Sequence, residues 1–128
     1  MTKSDMGIIA WHDLTVKDAS GVGDFYARVC GWGIESVDMG DYADFAMSSP
    51  SGAVVAGICH ARGANAKLPP RWLPYVSVSS VAVAIKAAEA AGGALLDGPR
   101  QAGDGTMAVL QDPAGACFAV WEAATETT

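Results

Sequence analysis

Ser49-Pro50-Ser51-Gly52-Ala53-Val54-Val55-Ala56 returns 63 residues later as Asp112-Pro113-Ala114-Gly115-Ala116-Cys117-Phe118-Ala119. Upstream, Trp11-x-x-Leu14-Thr15-Val16-x-Asp18 returns 62 residues later as Leu73-x-x-Val76-Ser77-Val78-x-Ser80, and Gly31 finds its counterpart in Gly93. An internal repeat constrains the whole fold and is therefore settled first. The period is too long for a solenoid, and only two copies fit in the chain. The pattern predicts one domain built from two similar halves that face each other.

Each half reads as strand, helix, then three short strands. Ile8 to Val16 is rich in β-branched and aromatic residues and ends at Lys17-Asp18. Asp18 suits a helix N-cap, because its carboxylate can accept a free amide of the first turn. Val22, Phe25, Tyr26, Val29 and Cys30 then recur at helical spacing, and Gly31 and Gly33 stop the run. Gly21 and Gly23 inside this helix weaken it by about 1 kcal/mol each, so packing must hold it. In the second copy Ser80 caps, Val81, Ala84, Ile85 and Ala88 form the stripe, and Gly92-Gly93 end it. The helices are expected near 18–31 and 80–92. Strands are expected at Gly33–Val37, Ala43–Ser48 and Ala53–Cys59, and again at Ala94–Leu96, Thr106–Leu110 and Ala116–Trp121. Ser-Pro-Ser-Gly and Asp-Pro-Ala-Gly are hairpin turns, Pro setting φ and Gly supplying a positive φ. Module one is expected over about 7–60, a linker over 61–71 with Pro69-Pro70, module two over 72–122, and a tail over 123–128.

A chain of 128 residues is one domain's worth, and 51% hydrophobic residues suffice for a core. The net charge is −6 and the eight Lys and Arg form no run, which argues against a nucleic-acid partner. Met1 to Trp11 is too short and mixed for a signal sequence. No stretch approaches the roughly 20 apolar residues of a membrane span. Three cysteines without CxxC spacing suggest neither a disulfide framework nor a zinc site. The expectation is a soluble, cytoplasmic protein.

Leu14-x-Val16-x-Asp18, Phe25-Tyr26, Gly31-Trp32 and Asp112-Pro113-x-Gly115, in that order, resemble the vicinal-oxygen-chelate superfamily. That superfamily holds glyoxalase I, extradiol dioxygenases, fosfomycin-resistance enzymes and bleomycin-binding proteins. The resemblance covers about residues 8–122 and is nearest to glyoxalase-like and bleomycin-resistance-type members. It implies an α+β fold: two βαβββ modules with pseudo-twofold symmetry, forming a curled, cup-shaped mixed sheet around a ligand.

The resemblance also implies four metal-ligand positions, here Trp11, Leu73, Ala56 and Ala119. Imidazole and carboxylate ligate divalent ions, whereas indole, isobutyl and methyl groups do not. The chain is therefore expected to hold no metal and to use no cofactor. A register shift of one would restore His12 as a ligand, but alternation puts His12 on the side of Leu14 and Val16. His60, beside Cys59, reads as a solvated loop histidine, Trp32 as a core plug and Cys30 as a core residue.

Alternation names the residues expected to line the cup. They are Trp11, Asp13 and Thr15; Leu73, Tyr75 and Ser77; and, from the closing strands, Val54, Ala56, Cys117, Ala119 and Trp121. An apolar pocket with a few polar groups is the composition of a small-molecule site. Two functions remain open. One is metal-independent binding of a hydrophobic or aromatic metabolite or antibiotic, with Trp and Tyr stacking on it and the negative charge favouring cations. The other is a cofactor-independent isomerase, lyase or cyclase with Asp13 and Tyr75 as acid and base. A metal-dependent lyase or dioxygenase ranks behind both. Small molecules are the expected partners. The apolar rims Ile8, Ile58 and Trp121 suggest a homodimer.

Overall fold

The computed structural model describes residues 6–124; most of the expected tail, and the first five residues, lie outside them. The elements run β1 (Ile9–Val16), α1 (Ala19–Cys30), β2 (Gly33–Asp38), β3 (Ala43–Ser48), β4 (Val54–His60), β5 (Trp72–Ser77), α2 (Val81–Ala90), β6 (Ala94–Ala102), β7 (Gly105–Gln111) and β8 (Cys117–Ala123). A short 3-10 turn at Gly63–Asn65 lies in the linker. The fold is α+β, with βαβββ occurring twice. No helix among the described residues is long and apolar enough to cross a membrane.

Two compact units make up the chain: Trp11–Trp72, and Leu73 onward together with the residues up to Ala10. The second unit claims that early segment through the backbone: Gly7 N–H donates to Ser77 O at 2.7 Å and Ser77 N–H donates to Ile8 O at 2.9 Å. In module one the strands are ordered β2-β3-β4-β1, with β1 and β4 parallel and the other pairs antiparallel. Module two repeats this as β5-β8-β7-β6, with β5 and β8 parallel.

The repeat holds at the level of hydrogen bonds. In the first turn Gly52 N–H donates to Ser49 O and Ser49 N–H to Ala53 O, both at 2.8 Å. In the second, Gly115 N–H donates to Asp112 O at 3.0 Å and Asp112 N–H to Ala116 O at 2.8 Å. Gly52 and Gly115 have φ of 93° and 89°, the left-handed region that a side chain resists and that this turn requires. Asp112 adds side-chain bonds to Ala114 N–H and Ala116 N–H at 2.8 and 3.0 Å.

Each helix covers one face of its own strands. Leu14, Ala19, Met47 and Ile58 form the core under α1, joined by Val16, Val22, Tyr26, Trp32, Phe45 and Trp72. Val81, Ala108, Leu110 and Val120 form the core under α2. Asp18 caps α1 as expected, its Oδ1 accepting from Gly21 N–H at 3.0 Å. Ser80 caps α2 through Val83 N–H at 3.2 Å, and Glu122 Oε1 takes the Val81 N–H at 2.9 Å.

Three expectations change. β6 runs on to Ala102 instead of stopping at Leu96, because the Asp97-Gly98-Pro99 breaker is absorbed by register shifts against β7. Ile58, expected at an apolar rim, is fully buried under α1. Cys30, expected in the core, is exposed.

Candidate functional site

The parallel registers define the face of each module opposite its helix. In module one Asp13 pairs with Gly57 and Thr15 with Cys59; in module two Tyr75 pairs with Ala119 and Ser77 with Trp121. These pairs correspond at an offset of 62. At the turn, however, the offset is 63. The extra residue in β4 is a bulge: Met47 pairs with Ala56 but Ser48 pairs with Val54, leaving Val55 over.

This bulge corrects the expectation for Ala56. Ala56 lies opposite Met47, which is in the core under α1, so it is on the helix side. The counterpart of Ala119 is Gly57. Trp11, Asp13 and Thr15 share the helix-free face with Gly57 and Cys59, and Leu73, Tyr75, Ser77, Cys117, Ala119 and Trp121 share that of module two. His12 falls on the side of Leu14 and Val16, as alternation requires.

In module one the Trp11 indole N–H donates to Asp13 Oδ1 at 2.6 Å. Gly57 makes room for this pair: a Cβ there would run into Asp13 Oδ1 and sit 3.4 Å from the Trp11 ring. Beside them Asp44, 6% exposed, accepts from His60 N–H at 2.8 Å. His60 Nδ1 lies 3.4 Å from the same oxygen but is not aligned to share a hydrogen bond with it. The His60 ring packs edge-on to Tyr42 at 5.8 Å, so it is a packed residue and not the solvated loop histidine expected. Burial first, then the carboxylates of Asp13 and Asp44 and a hydrogen bond to Asp44, push the Cys59 thiol far above its ordinary value near 9. Cys59 therefore stays a thiol at neutral pH and is no nucleophile.

Module two presents a drier face. Leu73, Tyr75, Ser77 and Ala119 are all 9% exposed or less, whereas Cys117 and Trp121 are half-buried. The Trp121 indole N–H donates to Ala102 O at 3.1 Å, and its ring lies over Gly105, where a Cβ would come within 2.7 Å of it.

The family's metal does not fit these residues. Trp11 and Leu73 offer no ligating atom, and the Trp11 N–H is spent on Asp13. Gly57 and Ala119 offer none at the closing strands. Among the described residues no group of three or more His, Cys, Asp or Glu side chains is placed to hold a metal ion.

Sequence reasoning missed Gly57, Asp44 and Cys59 on this face. The change of offset from 62 to 63 was the available signal for Gly57, and a lone carboxylate inside the Ala43–Ser48 strand was the signal for Asp44.

Comparison with known proteins agrees with the doubled pattern. The Glyoxalase-like domain profile matches residues 11–121. The chain is 31% identical over 134 residues to anthracycline biosynthesis protein DnrV of Streptomyces peucetius, covering 94% of this chain and 49% of the relative. It is 30% identical, with the same coverage, to DauV of Streptomyces sp. (strain C5), also an anthracycline biosynthesis protein. The chain thus spans about half the length of these curated relatives. Among solved structures, methylmalonyl-CoA epimerase from Mycobacterium tuberculosis superposes with a TM-score of 0.61 at 13% identity, over 98% of this chain and 94% of that one. The Streptomyces coelicolor epimerase gives 0.58 at 13% identity, over 96% and 99%. Such distant structures share the fold alone. With its doubled βαβββ pattern and a profile match running almost from end to end, the chain belongs to the glyoxalase-like domain family.

Proposed function

We propose that the protein binds a planar, hydrophobic small molecule on the helix-free face of module one without a metal ion. The observation that carries this reading is the fastened Trp11–Asp13 pair. The hydrogen bond at 2.6 Å holds the indole plane in one orientation and sets a carboxylate at its edge. A ring fixed in advance loses little entropy on stacking, and a carboxylate beside it favours a ligand carrying a cationic group. The chain's charge of −6 acts in the same direction. The two curated relatives are named for anthracycline biosynthesis, and an anthracycline is a planar polycycle of the matching class.

A second reading, cofactor-independent acid–base catalysis by Asp13 and Tyr75, rests on Asp13 being a carboxylate set in a half-buried position. A titration and an activity assay separate the two. An aminoglycosylated anthracycline is added to the protein and its fluorescence quenching followed. Trp11→Ala should weaken binding by about 1–3 kcal/mol, the contribution of one stacked aromatic. Asp13→Asn should weaken this cationic ligand about tenfold by removing the attracting charge, and should shift a neutral aglycone only a few-fold; an enzyme relying on that proton would instead lose about 10²–10⁴ in turnover, read in a separate activity assay. Saturable binding unchanged by Trp11→Ala, or no binding at all, overturns the proposal.

A further inference from the structure

Module one has a second recess, on the α1 side of its strands and so apart from the face discussed above. His12, Trp32, Val55, Ala56 and Trp72 line a cavity of about 220 Å³. Its walls are held by an aromatic trio. Tyr26 and Trp32 are stacked with centroids 5.9 Å apart and planes at 20°, and Trp72 stands edge-on to both at 5.3 and 6.1 Å. The Trp72 indole N–H donates to Tyr26 Oη at 3.0 Å, which fixes the arrangement. The β4 bulge brings two consecutive residues, Val55 and Ala56, into the same lining, which regular alternation forbids. Trp32, expected as a core plug, is thus both core and wall.

We infer that this recess is a binding site for a single aromatic ring bearing one hydrogen-bonding substituent, the phenol class. The volume of the recess suits one ring seated in it. An apolar cavity of about 150 Å³ accepts benzene, and drug-sized ligands need about 300–1,000 Å³. At 220 Å³ the recess takes one ring and a small substituent. The lining chemistry decides the rest. Two indoles and two aliphatic side chains meet the ring by stacking and dispersion. Trp72 has committed its N–H to Tyr26. The exposed imidazole of His12 remains as the polar group at the mouth, able to donate to or accept from a hydroxyl.

Phenol, added to 15N-labelled protein, tests this directly. The indole N–H signals of Trp32 and Trp72, assigned by single Trp→Phe substitutions, should move together and saturate in roughly the millimolar range. Trp11 and Trp121 should stay still. Ala56→Leu fills the floor and should weaken phenol about tenfold or more. Because Ala56 is only 3% exposed, Val55→Phe serves as the second variant: Val55 is exposed, and the larger ring should block the mouth with the fold intact. His12→Ala should weaken phenol roughly two- to tenfold while leaving toluene unchanged. Unsaturated shifts spread over all four tryptophans, binding that survives both blocking variants, or tetramethylammonium outcompeting phenol would overturn the proposal. Trp11→Ala leaves this site intact, so its failure and that of the anthracycline reading are distinguishable.

Discussion

Modules one and two share topology, the register of their parallel strand pairs and turn hydrogen bonds, yet their helix-free faces differ position by position. Asp13, Gly57 and Cys59 in module one stand where module two has Tyr75, Ala119 and Trp121. Asp44 stands where module two has Met107, fully buried opposite Trp121. Module two lines the face with Leu73, Tyr75, Met107 and Trp121, and the Asp97 carboxylate that register places there is paired within β6, accepting from Arg100 Nε at 3.0 Å. Module one carries two carboxylates and a thiol, which are costly to bury and demand partners. Those partners are present: Trp11 for Asp13, and the His60 amide and Cys59 for Asp44. The turns and helix caps therefore specify the fold twice over, whereas the polar groups of the two faces differ: Asp13, Asp44 and Cys59 in one copy, the Asp97–Arg100 pair in the other.

The sharpest way to break this comparison is to make module one resemble module two at Gly57. Gly57→Ala supplies the methyl that Ala119 already has, but here it meets the Asp13 carboxylate. Overpacking of this kind costs about 1–3 kcal/mol and should detach the Trp11 N–H. In an Asp13→Ala background the same substitution should cost close to nothing. Denaturant unfolding of the four proteins gives the coupling; if it is absent, the glycine does not exist to seat Asp13.

Cys59 sharpens the comparison through pH. Its thiol is raised in the folded protein by burial and the two carboxylates, so it stays protonated where the unfolded chain's thiol ionises. With the folded state binding more protons above pH about 9, stability is intact below that value and falls above it. The loss is about 1.4 kcal/mol per pH unit while only the unfolded thiol is ionised. Comparing the wild-type protein with Cys59→Ala from pH 8 to 11 isolates this slope from other titrations. Equal slopes would show that the thiol is neither buried nor held beside the carboxylates. Module two has Trp121 at this position and contributes no such slope.

Both helices, both turns and most strand bounds were legible in the sequence because they rest on local signals: caps, Pro-Gly turns and apolar periodicity. The face of module two was legible for the same reason, since β8 is regular and alternation carries from Cys117 to Trp121. Module one's closing strand was not. A bulge reverses alternation without any distinctive residue type, and Val54-Val55-Ala56 reads the same on either side of it. The Asp44–His60–Cys59 grouping was hidden because it joins β3 to β4 across 16 residues, by a side-chain bond to a backbone amide. The extension of β6 was hidden by breaker residues, which mark a register shift as readily as a strand end.

The smallest effect concerns the one place where the sequence argument found a weakness and the structure supplies a reason. A glycine inside a helix costs about 1 kcal/mol relative to alanine, and module one's helix has two where module two's has none. The two glycines are not equivalent. A Cβ on Gly21 would collide with the Asp18 carboxylate that caps the helix, whereas a Cβ on Gly23 meets nothing within 4 Å. Gly23→Ala should therefore stabilise by about 0.5–1 kcal/mol, the ordinary propensity gain. Gly21→Ala receives the same gain but displaces the cap, whose loss costs about as much, so its net effect should be near zero or destabilising. Thermal unfolding of the two single variants checks this. If both stabilise equally, Asp18 can cap from another rotamer and Gly21 is only a weakness; if Gly21→Ala alone fails to stabilise, the glycine is part of the cap.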